Sequence, residues 1–296
     1  MHDYKITCCS TCDLKVEHLK SLGVEYANYH YIINGVDHDD DLYVSQSPKA
    51  FYDKINSGIM PTTSQVTAEQ LIEMIEPILA SGTDVLHIEF SSGLSGGMQS
   101  ATIAHQELSK KYPERKFLIV DSLAASTGYG MLVEKAVRLK NEGKSIDEVF
   151  AWLEENKLYL KHWFYSTNLN HFKRGGRISG ASAIIGSLLN ICPVMEVNSE
   201  GKLVVRKKVL GKKKAKKELV KMMIDQAQKD GDYNEKCYMC NSMTFDDASD
   251  IAREVESAFP SLDGKVVIND IGTVIGSHTG PGCVAIFYFA KEKRTI

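Results

Sequence analysis

The sequence lacks any uninterrupted apolar run of the roughly 18 residues that a membrane-spanning helix needs. Its first residues, MHDYKITCCSTCDL, also lack the basic and long apolar regions of a secretory signal peptide. The formal net charge is -3, so no overall basic field attracts nucleic acid. These absences predict a cytoplasmic protein with no integral membrane segment and no nucleic acid partner.

Cysteine is scarce and odd in number, at seven residues in 296. Without a secretion signal, this count favours reduced thiols and no structural disulfide. Two C-x2-C pairs, Cys9/Cys12 and Cys237/Cys240, have the outline of a zinc site, but they lie far apart in the sequence. The second pair also falls in an apparent strand, where positions three apart face opposite sides. We predict buried thiols and no bound metal.

Apolar runs alternate with amphipathic helical patterns through the first half of the chain. The predicted strands there are YKITCC, GVEYANYHYI, DVLHIEF and KFLIVDS, each followed by helical sequence. This alternation is typical of βαβ units and a parallel sheet.

The second half has more strands and fewer helices. Its predicted strands are WFYSTN, NICPVMEV, KLVVRKKVL, EKCYMCNSM, KVVIND and CVAIFYFA, and its long helices are KKAKKELVKMMIDQAQK and FDDASDIAREVESAF. We therefore predict an α/β protein of two domains. Residues 1–163 would form a Rossmann-like αβα layer domain with a parallel sheet, and residues 164–296 a mixed-sheet α/β domain.

Two loops rich in small hydroxyl residues follow predicted elements of the first half. They are PTTSQ at 61–65, ahead of a capping box formed by Thr67 and Gln70, and SSGLSGG at 91–97. Parallel sheets bind ligands at the carboxyl ends of their strands, and helix starts present N–H groups to anions. The loops thus favour an anion site, although helix capping alone accounts for such hydroxyls equally well.

Two glycine-containing segments in the second half could also contribute to a site. The glycines of IGTVIGSHTGPG leave His278 exposed on a predicted loop, where an imidazole can donate to a carboxylate or phosphate. The segment HFKRGGRIS is either a basic turn that caps a helix through Ser179 or an anion or partner contact near the domain junction.

Two charged segments are interpreted as surface features. Residues 206–217 hold eight basic residues in twelve positions, and we interpret them as a solvated face. The acidic stretch VDHDDDL lacks the glycine and terminal glutamate of an EF-hand loop, so we predict an acidic turn.

An enzymatic alternative rests on residues 93–97, which fit the G-x-S-x-G pattern of α/β-hydrolases. Ser95 would be the nucleophile, His278 the base and Asp270 the acid of a serine hydrolase or acyltransferase. No HGG-type donor loop precedes Ser95, which weakens this interpretation. A phosphate or small-anion sensor is a third alternative, although no lysine follows the glycines as in a P-loop.

Five motifs together resemble the DegV family over residues 4–290. They are PTTSQ, SSGLSGGMQSA, VDSLAASTGYG, NHFKRGGRISGASAIIGSLLNICPV and IGTVIGSHTGPG. The resemblance implies a non-enzymatic protein that encloses one long-chain fatty acid in a tunnel between its domains and presents the carboxylate to a separate fatty acid kinase. It implies that Thr63, Ser95 and His278 bind the carboxylate and that no cofactor is used.

The candidate tunnel lining is an apolar helix of the second domain, with Ile184, Ile185, Leu188 and Leu189, although core packing explains these residues equally well.

Four positions depart from the family's usual pattern. Cys9 stands for an aspartate, Gly97-Met98 for Thr-Tyr, Cys192 for a lysine and Leu210 for an arginine before the basic helix. The carboxylate-binding residues are retained, so we expect the departures to affect presentation of the ligand to a kinase more than binding of the fatty acid.

Overall fold

The computed structural model describes residues 3–178, 191–227 and 232–296. Its strands in chain order are β1 (Tyr4–Cys9), β2 (Glu25–Ala27), β3 (His30–Ile33), β4 (Val36–Asp39), β5 (Thr62–Ser64), β6 (Asp84–Glu89), β7 (Phe117–Asp121), β8 (Leu160–Ser166), β9 (Ile191–Val197), β10 (Leu203–Leu210), β11 (Tyr238–Asn241), β12 (Val267–Asp270) and β13 (Cys283–Phe289). Its α-helices are α1 (Val16–Leu22), α2 (Pro48–Asn56), α3 (Ala68–Ala80), α4 (Gly97–Lys111), α5 (Ser126–Asn141), α6 (Ile146–Asn156), α7 (Asn170–Gly175), α8 (Lys212–Gln226), α9 (Phe245–Ala258) and α10 (Thr273–Thr279).

Four strands form a parallel sheet in the order β2-β1-β6-β7. Strand β6 is buried along its whole length, as expected for a central parallel strand covered on both faces. Helix α3 packs on α4 and α5 packs on α6, and both pairs contact the sheet. The predicted parallel-sheet α/β layer is confirmed.

Six strands form a second, mixed sheet in the order β10-β9-β8-β13-β11-β12. The β11–β12 pair is parallel and the other pairs are antiparallel. Helices α8 and α9 pack on each other and contact this sheet. The predicted mixed-sheet unit is confirmed. The predicted boundary between residues 163 and 164 falls within β8, and the division at that point stays a prediction.

A small antiparallel sheet, in the order β4-β3-β5, was not predicted. The stretch predicted as one strand, GVEYANYHYI, divides between β2 of the parallel sheet and β3 of this sheet. The acidic turn predicted for VDHDDDL is wrong, because residues 36–39 form β4. Asn34 and Gly35, both at positive φ, make the tight turn that folds β4 back on β3.

All seven cysteines are buried free thiols, which confirms the predicted buried thiols. The second C-x2-C pair lies at β11, with Cys240 inside the strand and Cys237 directly before it. Within the described residues, no helix has both the length and the apolar character to cross a membrane.

Candidate functional site

A cavity of about 350 Å³ lies between the loops of the parallel sheet and one face of the mixed sheet. Large apolar side chains from both sides line it, including Phe90, Leu94, Phe164, Phe172, Val274 and Phe287. A cavity of this size and composition suits one largely apolar ligand that is oriented by a few polar groups.

Three polar side chains predicted from sequence line this cavity together: Thr63, Ser95 and His278. Thr63 Oγ1 lies 2.8 Å from His278 Nε2, although the two residues are 215 positions apart. Ser95 Oγ lies 3.2 Å from the Tyr29 hydroxyl and accepts a hydrogen bond from the Gly97 N–H at 3.2 Å. The structure therefore brings the three residues to one site, while their role as carboxylate ligands stays a prediction.

Thr63 is placed by the small sheet rather than by a loop. Strand β5 pairs with β3, and Thr63 lies opposite Tyr31 in the register. Directly after β5, Thr67 and Gln70 form the predicted capping box at the start of α3. The pairing of β5 with β3 holds the backbone at Thr63, and the capping box holds the backbone directly after it. The side chain of Thr63 therefore lines the cavity from a well-anchored segment.

His278 lies near the C-terminal end of helix α10, so its predicted place on an exposed loop is wrong. The glycines of this segment flank the helix, with Gly272 before it and Gly280 after it. Asp40, fully buried, holds the start of α10: its Oδ1 accepts hydrogen bonds from the Thr273 hydroxyl at 2.7 Å and the Thr273 N–H at 3.3 Å. The acidic segment thus helps to position His278.

The imidazole of His278 is neutral at physiological pH. Burial, followed by the positive charge of Arg177, lowers the pKa of His278 to about 4. His278 can therefore act on a bound anion as a hydrogen-bonding group, and it brings no positive charge to the site at neutral pH.

Arg177 is the cation at this end of the cavity. Its side chain is largely exposed, lines the cavity, and donates from Nε to the Leu94 carbonyl at 3.4 Å and from Nη1 to the Gly175 carbonyl at 2.6 Å. The interpretation of the HFKRGGRIS segment as an anion or partner contact stays a prediction. Ser179 and the predicted tunnel-lining residues Ile184, Ile185, Leu188 and Leu189 lie outside the described residues.

A buried polar cluster lies directly behind Ser95 and was not predicted. The Glu89 carboxylate is fully buried and accepts hydrogen bonds from the Tyr29 hydroxyl at 3.0 Å and the Phe90 N–H at 3.0 Å. It also lies 2.9 Å from His87 Nε2 and 3.4 Å from Cys9 Sγ. Four polar groups thus surround one buried acidic side chain, as the burial of a polar group requires.

The cluster has the residue types of a metal site. Ligand atoms of Cys9, His87 and Glu89 lie within 4.8 Å of one another. Their mutual hydrogen bonds already satisfy the carboxylate, so the arrangement is explained without an ion. The other ring nitrogen of His87 lies 2.9 Å from Thr7 Oγ1, which completes the chain of contacts.

A family model described as "Uncharacterised protein, DegV family" matches residues 3–291. The chain belongs to the DegV family. A DegV domain-containing protein of Clostridium perfringens is 39% identical over 296 residues, which are 99% of this chain and 100% of that protein. A solved structure described as fatty acid binding of a DegV family protein from Thermus thermophilus is 31% identical to this chain. The two structures superpose with a TM-score of 0.85, over 98% of this chain and 100% of that chain. A fatty acid binding DegV family protein from Streptococcus agalactiae shares 27% identity and a TM-score of 0.84, over 99% and 100%.

Two departures from the usual DegV pattern meet at the cluster behind Ser95. Cys9 Sγ contacts the Glu89 carboxylate. A Cβ at Gly97 would lie 2.7 Å from Glu89 Oε1 and would clash with the Tyr29 hydroxyl. A threonine at position 97 therefore does not fit beside this Tyr29–Glu89 pair, which accounts physically for the glycine.

The other two DegV departures lie on neighbouring strands of the mixed sheet. Cys192 on β9 is buried and pairs with Val209 of β10, and Leu210 follows as an exposed apolar residue. Four of the eight basic residues at 206–217 contact carboxylates. Arg206 lies 2.7 Å from Glu196 and Lys212 lies 2.8 Å from Asp247, and Lys207 and Lys216 form the other ion pairs.

The Ser–His–Asp arrangement of a hydrolase is not assembled in the described parts of this DegV protein. His278 Nε2 contacts Thr63, and the hydroxyl of Ser95 contacts Tyr29. Asp270 contacts Asn241 rather than His278, and burial raises its pKa. Among the residues that the structure describes, no base lies against Ser95 to activate it as a nucleophile.

The buried side chain of His162 lines the cavity from strand β8, at a place that we call the cavity floor, and it makes the stability of the protein depend on pH. Burial, followed by the positive charge of Arg294, holds the pKa of His162 well below its ordinary value. A histidine with a lowered folded-state pKa contributes its full stability above pH about 6.5, and this contribution is lost as the pH falls below that value. The His162→Phe variant should therefore gain stability relative to the wild type between neutral pH and pH about 5, as measured by urea unfolding. A difference that does not change with pH would contradict a buried neutral His162.

Proposed function

We propose that this protein binds one long-chain fatty acid in the cavity, with the carboxylate at Thr63, Ser95 and His278. One observation carries the proposal: Thr63, Ser95 and His278 line the same largely apolar cavity, and Thr63 Oγ1 lies 2.8 Å from His278 Nε2. The fatty acid binding of the Thermus thermophilus and Streptococcus agalactiae relatives supports it.

The hydrogen-bond directions fit a carboxylate. In the tautomer with the proton on Nε2, His278 donates to Thr63 Oγ1 and the Thr63 proton is free for the ligand, whereas a proton on Nδ1 makes Nε2 the acceptor of the Thr63 proton. Ser95 Oγ accepts from the Gly97 N–H, and the Tyr29 proton is directed to Glu89, so Ser95 is the donor in its 3.2 Å contact with Tyr29 and would turn that proton toward a bound carboxylate. Each hydrogen bond to the charged ligand would stabilise the complex by about 1.5–3 kcal/mol.

The apolar wall would supply most of the affinity. Burying an acyl chain stabilises by about 0.8 kcal/mol per methylene, so a chain of about fifteen methylenes contributes on the order of 12 kcal/mol before the cost of immobilising the ligand. The polar groups then determine which end of the ligand lies where.

We further propose a carrier role without catalysis, in which the carboxylate is presented to a separate fatty acid kinase. Thr63 and Ser95 are half-buried and Arg177 is exposed, whereas the cavity floor around His162 is buried. The carboxylate would therefore lie toward the surface, where a partner can reach it. The absence of a base on Ser95 among the described residues supports the carrier role over the hydrolase.

Extraction and mass spectrometry test the proposal. The purified protein is incubated with a mixture of long-chain fatty acids, desalted and extracted with organic solvent, and we expect about one fatty acid per chain. Recovery of no fatty acid would contradict the proposal.

A second experiment tests the hydrolase alternative. A fluorophosphonate probe should leave Ser95 unlabelled, and stoichiometric labelling of Ser95 would favour the hydrolase.

A further inference from the structure

Thr63 and Ser95, the two proposed hydroxyl donors, lie on separate segments of the chain. Thr63 is in strand β5, and Ser95 is in the loop that leads into helix α4. Thr63 is held by the pairing of β5 with β3 and by its contact with His278, and Ser95 contacts Tyr29 and Gly97. None of these contacts joins the two segments directly, so they do not by themselves set the separation of the two hydroxyls.

The side-chain amide of Gln65 joins the two segments. Gln65 follows Thr63 by two positions, directly after β5, and its side chain lines the cavity. Its Nε2 donates a hydrogen bond to the hydroxyl of Ser100, near the start of α4, at 3.0 Å. Ser100 is buried, so bulk water competes little for this hydrogen bond. Gln65 thus connects the strand that carries Thr63 to the helix that follows Ser95.

The same amide packs against Gly96, the residue directly after Ser95. A Cβ at Gly96 would lie 2.4 Å from Gln65 Oε1, and its next nearest atoms, both at 3.2 Å, also belong to the Gln65 amide. The backbone of Gly96 has a φ of -82° and a ψ of 5°, which residues with side chains adopt in turns. The glycine is therefore explained by the closeness of Gln65 and not by its backbone conformation.

We propose that Gln65 is a positioning residue, which sets the separation of the Thr63 and Ser95 hydroxyls so that both donate to one carboxylate. This inference rests on the proposed function and identifies what makes the site selective for a head group with two oxygens. A carboxylate holds its two acceptor oxygens at a fixed separation, so it gains from two donors only when they are held at matching positions. A fatty alcohol has one head-group oxygen and needs only one of the two hydroxyls. Loss of Gln65 should therefore weaken a fatty acid much more than a fatty alcohol.

The test compares myristate with 1-tetradecanol on delipidated wild-type and Gln65→Ala proteins, by competition against a fluorescent fatty acid. Gln65→Ala should weaken myristate about tenfold, as for the loss of one hydrogen bond to a charged group, and should change the alcohol by less than about twofold. Gln99→Ala is the matched control, because Gln99 is exposed on α4, and it should change neither ligand. Unchanged myristate binding in Gln65→Ala would overturn this inference alone, and equal losses of both ligands would show a packing role and overturn it too. If the wild-type protein binds no myristate, the proposed function and this inference both fail.

Two combinations of variants separate positioning from direct contact with the ligand. In a Thr63→Val/Ser95→Ala background no hydroxyls are left to position, so Gln65→Ala should weaken myristate by less than about twofold further. A further loss as large as in the wild type would show that Gln65 itself binds the carboxylate and would overturn the inference. Gly96→Ala should displace the Gln65 amide and weaken myristate about as much as Gln65→Ala does, but it should add little when residue 65 is already alanine. A full additional loss from Gly96→Ala in that background would show that Gln65 does not hold the loop at Gly96, and would likewise overturn the inference.

Discussion

Replacing Thr63 with valine and Ser95 with alanine together is expected to weaken fatty acid binding about 100-fold or more. The two hydroxyls are the proposed donors to the carboxylate, and losing two hydrogen bonds to a charged group costs about 3–6 kcal/mol. Thr63→Val also removes the oxygen that lies 2.8 Å from His278 Nε2, so the imidazole loses its partner. Isothermal titration with stearate measures the effect.

Matched controls for this pair lie in the same two segments. Thr62 is exposed on the same strand as Thr63, and Ser92 is exposed in the same loop as Ser95. Thr62→Val with Ser92→Ala changes the same residue types and should leave the affinity within about twofold. If the Thr63/Ser95 double variant binds stearate as tightly as this control, the assigned carboxylate ligands are wrong.

Gly97→Ala is expected to lower the free energy of unfolding by about 2 kcal/mol, because overpacking a well-filled site costs about 1–3 kcal/mol. An alanine in place of a helical glycine ordinarily stabilises by roughly 1 kcal/mol, so the expected sign is reversed. The cause is local, since a Cβ at Gly97 would meet the Tyr29 hydroxyl and lie 2.7 Å from Glu89 Oε1. Urea unfolding at neutral pH measures the change.

A double-variant cycle separates the clash from other effects of Gly97→Ala. In a Tyr29→Phe background the hydroxyl that meets the new methyl group is gone, so the cost of the alanine should fall by about half or more. If Gly97→Ala lowers the free energy of unfolding equally in both backgrounds, the Tyr29–Glu89 pair is not the reason why position 97 requires glycine.

The sequence predicted both large sheets, because their strands are apolar runs with clear helical or turn patterns between them. It also predicted Thr63, Ser95 and His278, because their short motifs occur in a recognisable order. Their meeting at one cavity depends on tertiary packing between segments 215 positions apart, which no local pattern encodes. The small sheet was missed because its strands are three or four residues long and one of them, Val36–Asp39, is half acidic.

The sequence analysis also missed two buried polar features, the cluster around Glu89 and the side chain of His162. For the first of them the sequence contains a signal. His87 and Glu89 stand two positions apart in the apolar run of β6, so both side chains face the same side of the sheet. A charged residue in a buried strand needs partners, and Cys9 and Tyr29 supply them from elsewhere in the chain. His162 gave no such signal, because its burial on the cavity wall depends on packing that only the folded structure reveals.

The most direct test of the account is a crystal structure of the protein with bound stearate. The account predicts carboxylate oxygens within hydrogen-bond distance of Thr63 Oγ1 and Ser95 Oγ, with the acyl chain running over Phe164 and Phe287 toward His162. A carboxylate at the His162 end, or an acyl chain bound outside the cavity, would contradict it.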